Sequence, residues 1–164
     1  MIVLVSDTSV LIDLERAGLT AQAFGLPYEF AVPDVLYAAE IAAFGGDALC
    51  DLGLRVEAMN GDEVAAALAI RRGQARLSVP DALALALAEA RNWGLLSGDG
   101  PMRAEAASRG VECRGILWLL DEIETAGKCG PERLCEGLRK LATHKRCRLP
   151  AREVNVRLAR WSPT

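Results

Sequence analysis

The sequence predicts an α/β fold, a three-layer α/β/α sandwich built around a parallel β-sheet. The chain has 164 residues, about half of them apolar, which suits one domain with a sizeable core. Its first apolar run, Ile2–Ser6, has the length and composition of a strand buried on both faces of a parallel sheet. Further short apolar runs alternate with helical patterns, and this alternation favours parallel strands joined by helices.

The apolar period changes at Asp7. The run Ile2–Ser6 before it predicts the central strand, and apolar residues at helical spacing after it, including Val10 and Leu14, predict a helix. Asp7 therefore follows the carboxyl end of a strand, and open α/β sheets bind their ligands at that edge. A second interpretation is that Asp7 or Thr8 only caps the first helix.

The remaining elements follow from the same patterns. The predicted strands are Tyr28–Val32, Leu54–Met59, Gly94–Ser97 and Val111–Cys113. The strand at 54–59 alternates apolar and polar residues, so we expect it near the edge of the sheet. The predicted helices span 33–44, 61–72, 78–92, 102–108, 116–125, 131–142 and 151–160. Pro33 suits the first turn of its helix, and Gly45 suits the end of that helix.

Charge divides the chain into an acidic body, 1–127, and a basic extension, 128–164. The body holds 9 Lys and Arg against 19 Asp and Glu, a net charge of −10, and the extension holds 10 against 3, a net charge of +7. We expect the extension to be helical and packed on the same domain. A basic extension indicates contact with a polyanion or an acidic partner. The alternative is a solvated helical face that balances the body.

Composition also predicts where the protein works. No apolar run approaches the roughly 20 residues needed to span a membrane, and the first residues lack a signal-peptide pattern. The five cysteines are odd in number and scattered, so a disulfide framework is disfavoured. We therefore expect a cytoplasmic protein without a membrane partner.

Three acidic residues stand at predicted strand ends or helix starts: Asp7, Asp81 and Asp99. Asp99 follows the apolar strand that ends at Ser97, as Asp7 follows the first strand. Each also has a local explanation. Asp99 precedes a glycine, and this pair favours a turn, whereas Asp81 stands three residues after Ser78 in the pattern of a capping box.

Glu40 lies in a predicted helix, 33–44, that is apolar nearly all round and carries only one other charged residue, Asp34. Such a helix is expected to be buried, so the Glu40 carboxylate needs a partner, a metal or a polar cleft. The alternative is a small exposed window that leaves Glu40 in water.

Four carboxylates at one edge of a sheet would repel each other unless a cation lies among them or some stay protonated. Oxygen ligands suit Mg²⁺ or Mn²⁺, and zinc is disfavoured because no His or Cys is nearby in the sequence. Carboxylates and hard cations together suit phosphodiester hydrolysis. Residue spacing alone does not establish that Asp7, Glu40, Asp81 and Asp99 converge.

These motifs resemble a PIN domain, most of all the VapC-type toxin ribonucleases and their relatives. The resemblance rests on DTSVLIDL at 7–14, on Glu40, on VPDALALALAEA around Asp81 and on LLSGDGPMR around Asp99. It covers about residues 1–125. The resemblance implies a parallel α/β/α sandwich in which Asp7, Glu40, Asp81 and Asp99 are metal-binding catalytic acids.

The resemblance also implies a supporting polar role for Ser9 or Ser97. Members of the family are commonly dimers, and toxin members pair with a small antitoxin that blocks the acidic pocket. The sequence departs from the toxin pattern at Arg103, where some members have a further acid, and in its long basic extension. These departures bear on toxin status more than on nuclease activity.

The leading hypothesis is a Mg²⁺- or Mn²⁺-dependent endoribonuclease that hydrolyses RNA phosphodiester bonds with water as the nucleophile, as the toxin of a toxin–antitoxin pair or a relative of one. The second hypothesis is a catalytically weak RNA-binding or regulatory module with the same fold. A third is a receiver-type signalling domain, which needs a Lys after its last strand. Residues 1–127 contain no Lys, so this third hypothesis is disfavoured.

Overall fold

A computed structural model describes residues 1–163 of the chain. The described chain forms one five-stranded sheet in which every neighbouring pair is parallel, in the order β3-β2-β1-β4-β5. The strands are β1 Ile2–Ser6, β2 Tyr28–Pro33, β3 Arg55–Glu57, β4 Gly94–Leu96 and β5 Cys113–Arg114. The α/β fold is confirmed, with β1 at the centre and β3 at an edge, as predicted.

Helices connect the strands. They are α1 Thr8–Ala17, α2 Thr20–Phe24, α3 Asp34–Leu36, α4 Gly46–Leu52, α5 Gly61–Gly73, α6 Val79–Arg91, α7 Gly100–Ser108, α8 Ile116–Thr125, α9 Pro131–Ala142 and α10 Ala151–Trp161. After α3 the chain continues as a π-helical turn over Tyr37–Ile41 and a 3₁₀ turn over Ala42–Phe44.

The single helix predicted over 33–44 is therefore wrong in form. Pro33 still pairs with Glu57 in the sheet, so helical structure begins one residue later than predicted. Gly45 ends the 3₁₀ turn in the left-handed region, with φ of 90°, and this conformation favours glycine. Helix α4 follows directly and was not predicted.

Helix α6 forms much of the core around the sheet. Its residues from Ala82 to Ala88 are all buried, and it contacts α5, β1, β2 and β4. Truncating one of its buried leucines would cost about 2–5 kcal/mol by the usual magnitudes for core cavities. This burial fixes the first turn of α6, with Asp81, relative to the sheet.

Strands β1 and β4 approach closely at Leu4 and Gly94, which are paired in the register. A Cβ atom at Gly94 would lie 2.8 Å from the Leu4 Cδ2 atom. A side chain at Gly94 would force the buried Leu4 side chain to move, so glycine here suits the close packing of β1 and β4.

The chain divides into two compact units. The first contains Met1–Val10 and Pro27–Gly115, and the second contains Leu11–Leu26 and the chain from Ile116 onward. The predicted boundary after residue 127 does not coincide with this division. Helix α9 packs with α8 and α10, and a Cβ atom at its Gly137 would lie 2.9 Å from the Ala17 carbonyl oxygen. These contacts join the extension to earlier helices of its own unit.

Part of the positive charge of the extension is neutralised inside the second unit. Arg157 and Arg160 of α10 pair with Asp121 of α8 at 2.7 and 2.8 Å, and Arg160 also pairs with Glu124 at 2.7 Å. The loop between α9 and α10 still exposes Lys145 and Arg146. In the described chain, none of the helices has the length and apolar character that crossing a membrane requires.

Candidate active site at the carboxyl edge of the sheet

Asp7 lies directly after the central strand and is 4 % exposed. Its backbone N–H donates to the Leu96 carbonyl oxygen of β4 at 3.0 Å, which ties the residue to the neighbouring strand. Its Oδ1 atom accepts from the Val10 N–H and from the Ser9 hydroxyl, both at 2.9 Å. The bond from Val10 caps α1, so the capping interpretation describes a real contact but does not account for the burial.

The electrostatics of Asp7 are those of a carboxyl group removed from water. Burial is the largest influence and raises its pKa above the ordinary value of 3.8, and the charge of Asp81 acts in the same direction. Hydrogen bonds from Ser97, from the Val10 N–H and from Ser9 oppose this rise. A nearby cation would offset the cost of burying the charged form, and perturbed carboxyl groups of this kind are common at active sites.

Ser97 connects two of the predicted acids. It follows β4, is fully buried and interacts with Asp7, and its Oγ atom accepts from the Asp99 N–H at 3.2 Å. The side chain of Asp99 caps α7, because its Oδ2 atom accepts from the Met102 N–H at 3.0 Å. Ser97 therefore holds the ends of β1 and β4 in one hydrogen-bonded group.

Asp81 begins α6 as predicted from its spacing to Ser78. The Ser78 N–H donates to Asp81 Oδ2 at 3.3 Å, and Ser78 Oγ accepts from the Asp81 N–H at 3.2 Å, which completes a capping box. Asp81 also acts electrostatically on Asp7. Capping and a place beside Asp7 are thus compatible, and the two interpretations given for Asp81 are not exclusive.

Glu40 is half-buried and lies in the π-helical turn after α3. Short π-helical turns occur frequently at functional sites. Within residues 1–163 Glu40 makes no hydrogen bond or ion pair, and it is not among the charges that act on Asp7. The structure thus links Asp7 and Asp99 through their shared contact with Ser97, and Asp81 to Asp7 through the electrostatic influence of its charge, but it shows neither kind of link for Glu40.

The residue types at this edge fit a hard divalent cation, since they offer carboxylate oxygens. The cap bonds of Asp81 and Asp99 engage Oδ2 of each, and Oδ1 of both lacks a donor among the described residues. Thr8, next to Asp7, has a buried hydroxyl oxygen with no partner in that part of the chain. However, across residues 1–163 no three His, Cys, Asp or Glu side chains lie close enough together to hold an ion. The residues therefore fit a metal ion in the type of ligand atom that they offer, and not in the distances between their side chains.

Two residues at this edge, Cys113 and Arg103, were not predicted as site residues. Cys113 of β5 donates its thiol to the Ser97 carbonyl oxygen at 3.8 Å. Burial chiefly raises the pKa of Cys113, the charge of Arg103 lowers it and the charge of Asp7 raises it further. The only sequence signal for Cys113 is that it ends the last predicted strand, at the same edge of a parallel sheet as Asp7.

Comparison with known proteins places these features in a family. A family model described as a PIN domain, DUF3368, matches residues 3–163. A PilT N-terminus domain protein from the hyperthermophilic archaeon Sulfolobus solfataricus P2 is similar in structure at 19 % identity, with a TM-score of 0.53, and the match covers 75 % of this chain and 93 % of that chain. This similarity supports the fold.

A toxin–antitoxin complex from Klebsiella pneumoniae is also similar, at 20 % identity with a TM-score of 0.46, and the match covers 62 % of this chain and 90 % of that chain. None of the curated proteins compared with the sequence matches it.

Proposed function

The chain belongs to the PIN domain family, and from this premise we propose that it is a metal-dependent endoribonuclease. PIN domains are generally nucleases and typically depend on divalent metal ions, so hydrolysis of a phosphodiester bond is the reaction to expect. The observation that carries the proposal is Asp7, a buried carboxylate at the end of the central strand whose pKa is raised by burial and by Asp81.

We propose Asp7, Glu40, Asp81 and Asp99 as the residues that hold Mg²⁺ or Mn²⁺. When bound, the ion would supply charge stabilisation and activation of water for an in-line displacement at phosphorus. Ser9, the Val10 N–H and Ser97 orient the Asp7 carboxylate through the hydrogen bonds described above. Water is the nucleophile, so no residue of the chain forms a covalent intermediate.

The test is cleavage of a generic single-stranded RNA with Mn²⁺ present and with EDTA. We expect fragments from the wild-type protein with Mn²⁺ and none from Asp7→Asn, which removes the buried charge but keeps the shape of the side chain. Binding of the RNA without any cleavage at millimolar Mn²⁺ would instead support the catalytically weak RNA-binding module.

A protein partner is the second part of the proposal. The segment from α3 to the 3₁₀ turn exposes apolar side chains, with Val35 49 % exposed and Phe44 83 % exposed. The alanines between them are also exposed: Ala38, Ala39, Ala42 and Ala43. Soluble proteins rarely leave a continuous apolar surface uncovered. We propose that a second copy of the chain covers this segment in a homodimer, and a small antitoxin is the alternative occupant.

The free cysteines support the proposed cytoplasmic location. All five are unpaired thiols in the described chain, whether exposed, as Cys50 is, or buried, as Cys135 is. Disulfides form and persist in oxidising compartments, so unpaired thiols suit a reducing one.

A further inference from the structure

Arg103 lies one helical turn after Asp99, at the start of α7. Its backbone N–H donates to the Asp99 carbonyl oxygen at 3.0 Å, which fixes the residue on the turn that Asp99 caps. Its side chain is exposed. The backbone of Arg103 thus lies at the same end of the sheet as Asp7 and Asp99, on a helix that packs against β5.

Strand β5 provides a second link between Arg103 and the acidic group. Cys113 of β5 donates its thiol to the Ser97 carbonyl oxygen at 3.8 Å, and Ser97 in turn interacts with Asp7. The charge of Arg103 lowers the pKa of Cys113, and the charge of Asp7 raises it. One thiol therefore lies within electrostatic range of both side chains, although Arg103 is not among the groups that act on the pKa of Asp7 itself.

Arg103 nevertheless makes no ion pair with any carboxylate of residues 1–163. Arg109, which directly follows the same helix, behaves differently, because it pairs with Glu105 at 3.0 Å and with Glu89 at 3.3 Å. If Arg103 served only to neutralise the acidic edge, a direct pair with one of those acids would be expected. Its donors are instead left free, on an exposed side chain one helical turn after Asp99.

An exposed guanidinium with free donors, one helical turn after Asp99, suits a ligand that brings its own negative charge. Guanidinium groups match phosphate oxygens in a bidentate geometry, and arginine is the preferred side chain for this contact. An acidic site without such a cation would repel a polyanionic strand.

We propose that Arg103 binds a phosphate of the substrate strand next to the bond that is cleaved. This inference rests on the proposed function and adds the residue that recognises the nucleic-acid backbone at that site. A phosphate contact carries no base preference by itself, so Arg103 would supply affinity and register rather than sequence specificity.

The test compares Arg103→Gln and Arg103→Lys with a matched control, Arg72→Gln. Arg72 is likewise exposed and makes no ion pair within residues 1–163, but it lies in the last turn of α5. Binding of a short single-stranded RNA is measured by fluorescence anisotropy without metal over a range of salt concentrations, and cleavage kinetics are measured with Mn²⁺. Thermal melts check that each variant is folded.

For Arg103→Gln we expect about tenfold weaker binding, the size of one charged hydrogen-bonded contact. The plot of log affinity against log salt should become less steep, with the magnitude of its negative slope smaller by about 0.7, the value for one phosphate contact on a single strand. KM should rise by a similar factor with a smaller change in kcat, and Arg103→Lys should recover part of the affinity. Arg72→Gln should match wild type.

An unchanged salt slope for Arg103→Gln would overturn the inference. So would a loss of kcat with KM unchanged, because that would mean that Arg103 acts on the acids rather than on the strand. The two proposals can fail separately. If wild type binds RNA without cleaving it but Arg103→Gln lowers the salt slope, the nuclease proposal fails and the phosphate contact stands.

Discussion

Replacing Asp7 by Asn tests whether the buried carboxylate exists to hold a metal. The substitution keeps Oδ1 as the acceptor for the Val10 N–H and the Ser9 hydroxyl, so both bonds at 2.9 Å can persist. The new amide N–H₂ can donate to Ser97, whose hydroxyl can act as an acceptor. We therefore expect Asp7→Asn to fold and to differ from wild type chiefly in charge.

The metal-free proteins should differ in a pH-dependent way. Burial raises the pKa of Asp7 in the folded state, so the neutral form is favoured by folding. That contribution is fully present below the ordinary carboxyl pKa and is lost as pH rises through the folded pKa. Each pH unit between these two pKa values corresponds to about 1.4 kcal/mol. Asp7→Asn lacks this loss, so in EDTA it should melt above wild type at pH 8 and near it at pH 4.

Metal should reverse this order. An ion that binds only the folded protein stabilises it by about 1.4 kcal/mol at ten times its dissociation constant. For a chain of this length that corresponds to a rise of about 3–6 °C in Tm. Wild type should show this rise with Mn²⁺ at pH 8, and Asp7→Asn should lose most of it.

The assay is a set of thermal melts at pH 4 and pH 8, in EDTA and in Mn²⁺, with Asp62→Asn as the control. Asp62 is an exposed acid in the first turn of α5, and its substitution should leave the metal response intact. A metal-binding role for Asp7 is contradicted if Asp7→Asn melts below wild type in EDTA at pH 8 and keeps the full response to Mn²⁺. Asp7 would then be a helix cap and no more.

Three further outcomes are expected. Asp81→Asn should lose most of the rise in Tm that Mn²⁺ causes in wild type. In EDTA, relief of the repulsion between Asp81 and Asp7 should offset the loss of the cap and of the helix-dipole interaction, which costs up to about 1 kcal/mol. A lower Tm in EDTA together with the full response to Mn²⁺ would make Asp81 a cap alone. Glu40→Gln should lower the rate of RNA cleavage with little change of Tm in EDTA, because Glu40 makes no hydrogen bond or ion pair within residues 1–163, and wild-type cleavage would remove it from the site. Phe44→Ser should shift sedimentation from a dimer to a monomer, since Phe44 is 83 % exposed, and a monomeric wild-type protein would contradict the proposed homodimer.

The order and type of most elements could be predicted from the amino-acid pattern alone. The apolar run Ile2–Ser6 predicted the central strand, and the alternating run near residue 55 predicted an edge strand, because burial on two faces or one leaves a direct trace in the apolar pattern. Local capping signals were also readable, as the capping box at Ser78 and Asp81 shows. The family resemblance drawn from the acids and their flanking motifs agrees with the PIN domain match over residues 3–163.

Contacts between residues far apart in the sequence could not be predicted from local patterns. Asp7 and Asp81 are far apart in the sequence, and only the packing of α6 on the sheet brings their charges into range. Cys113 joins the same edge because β5 lies beside β4, a neighbour that no local signal specifies. The π-helical turn that carries Glu40 was likewise hidden in a run that reads as one helix.

The basic extension shows the same limit. Its charge was visible in the sequence, but its pairing with Asp121 and Glu124 depends on how α10 packs within its own unit. A sequence pattern records which face of an element is buried, whereas long-range contacts depend on which elements meet. That is why strands, helices and caps could be predicted here, and why the neighbours of Asp7, the free guanidinium of Arg103 and the ion pairs of the extension had to be found in the folded chain.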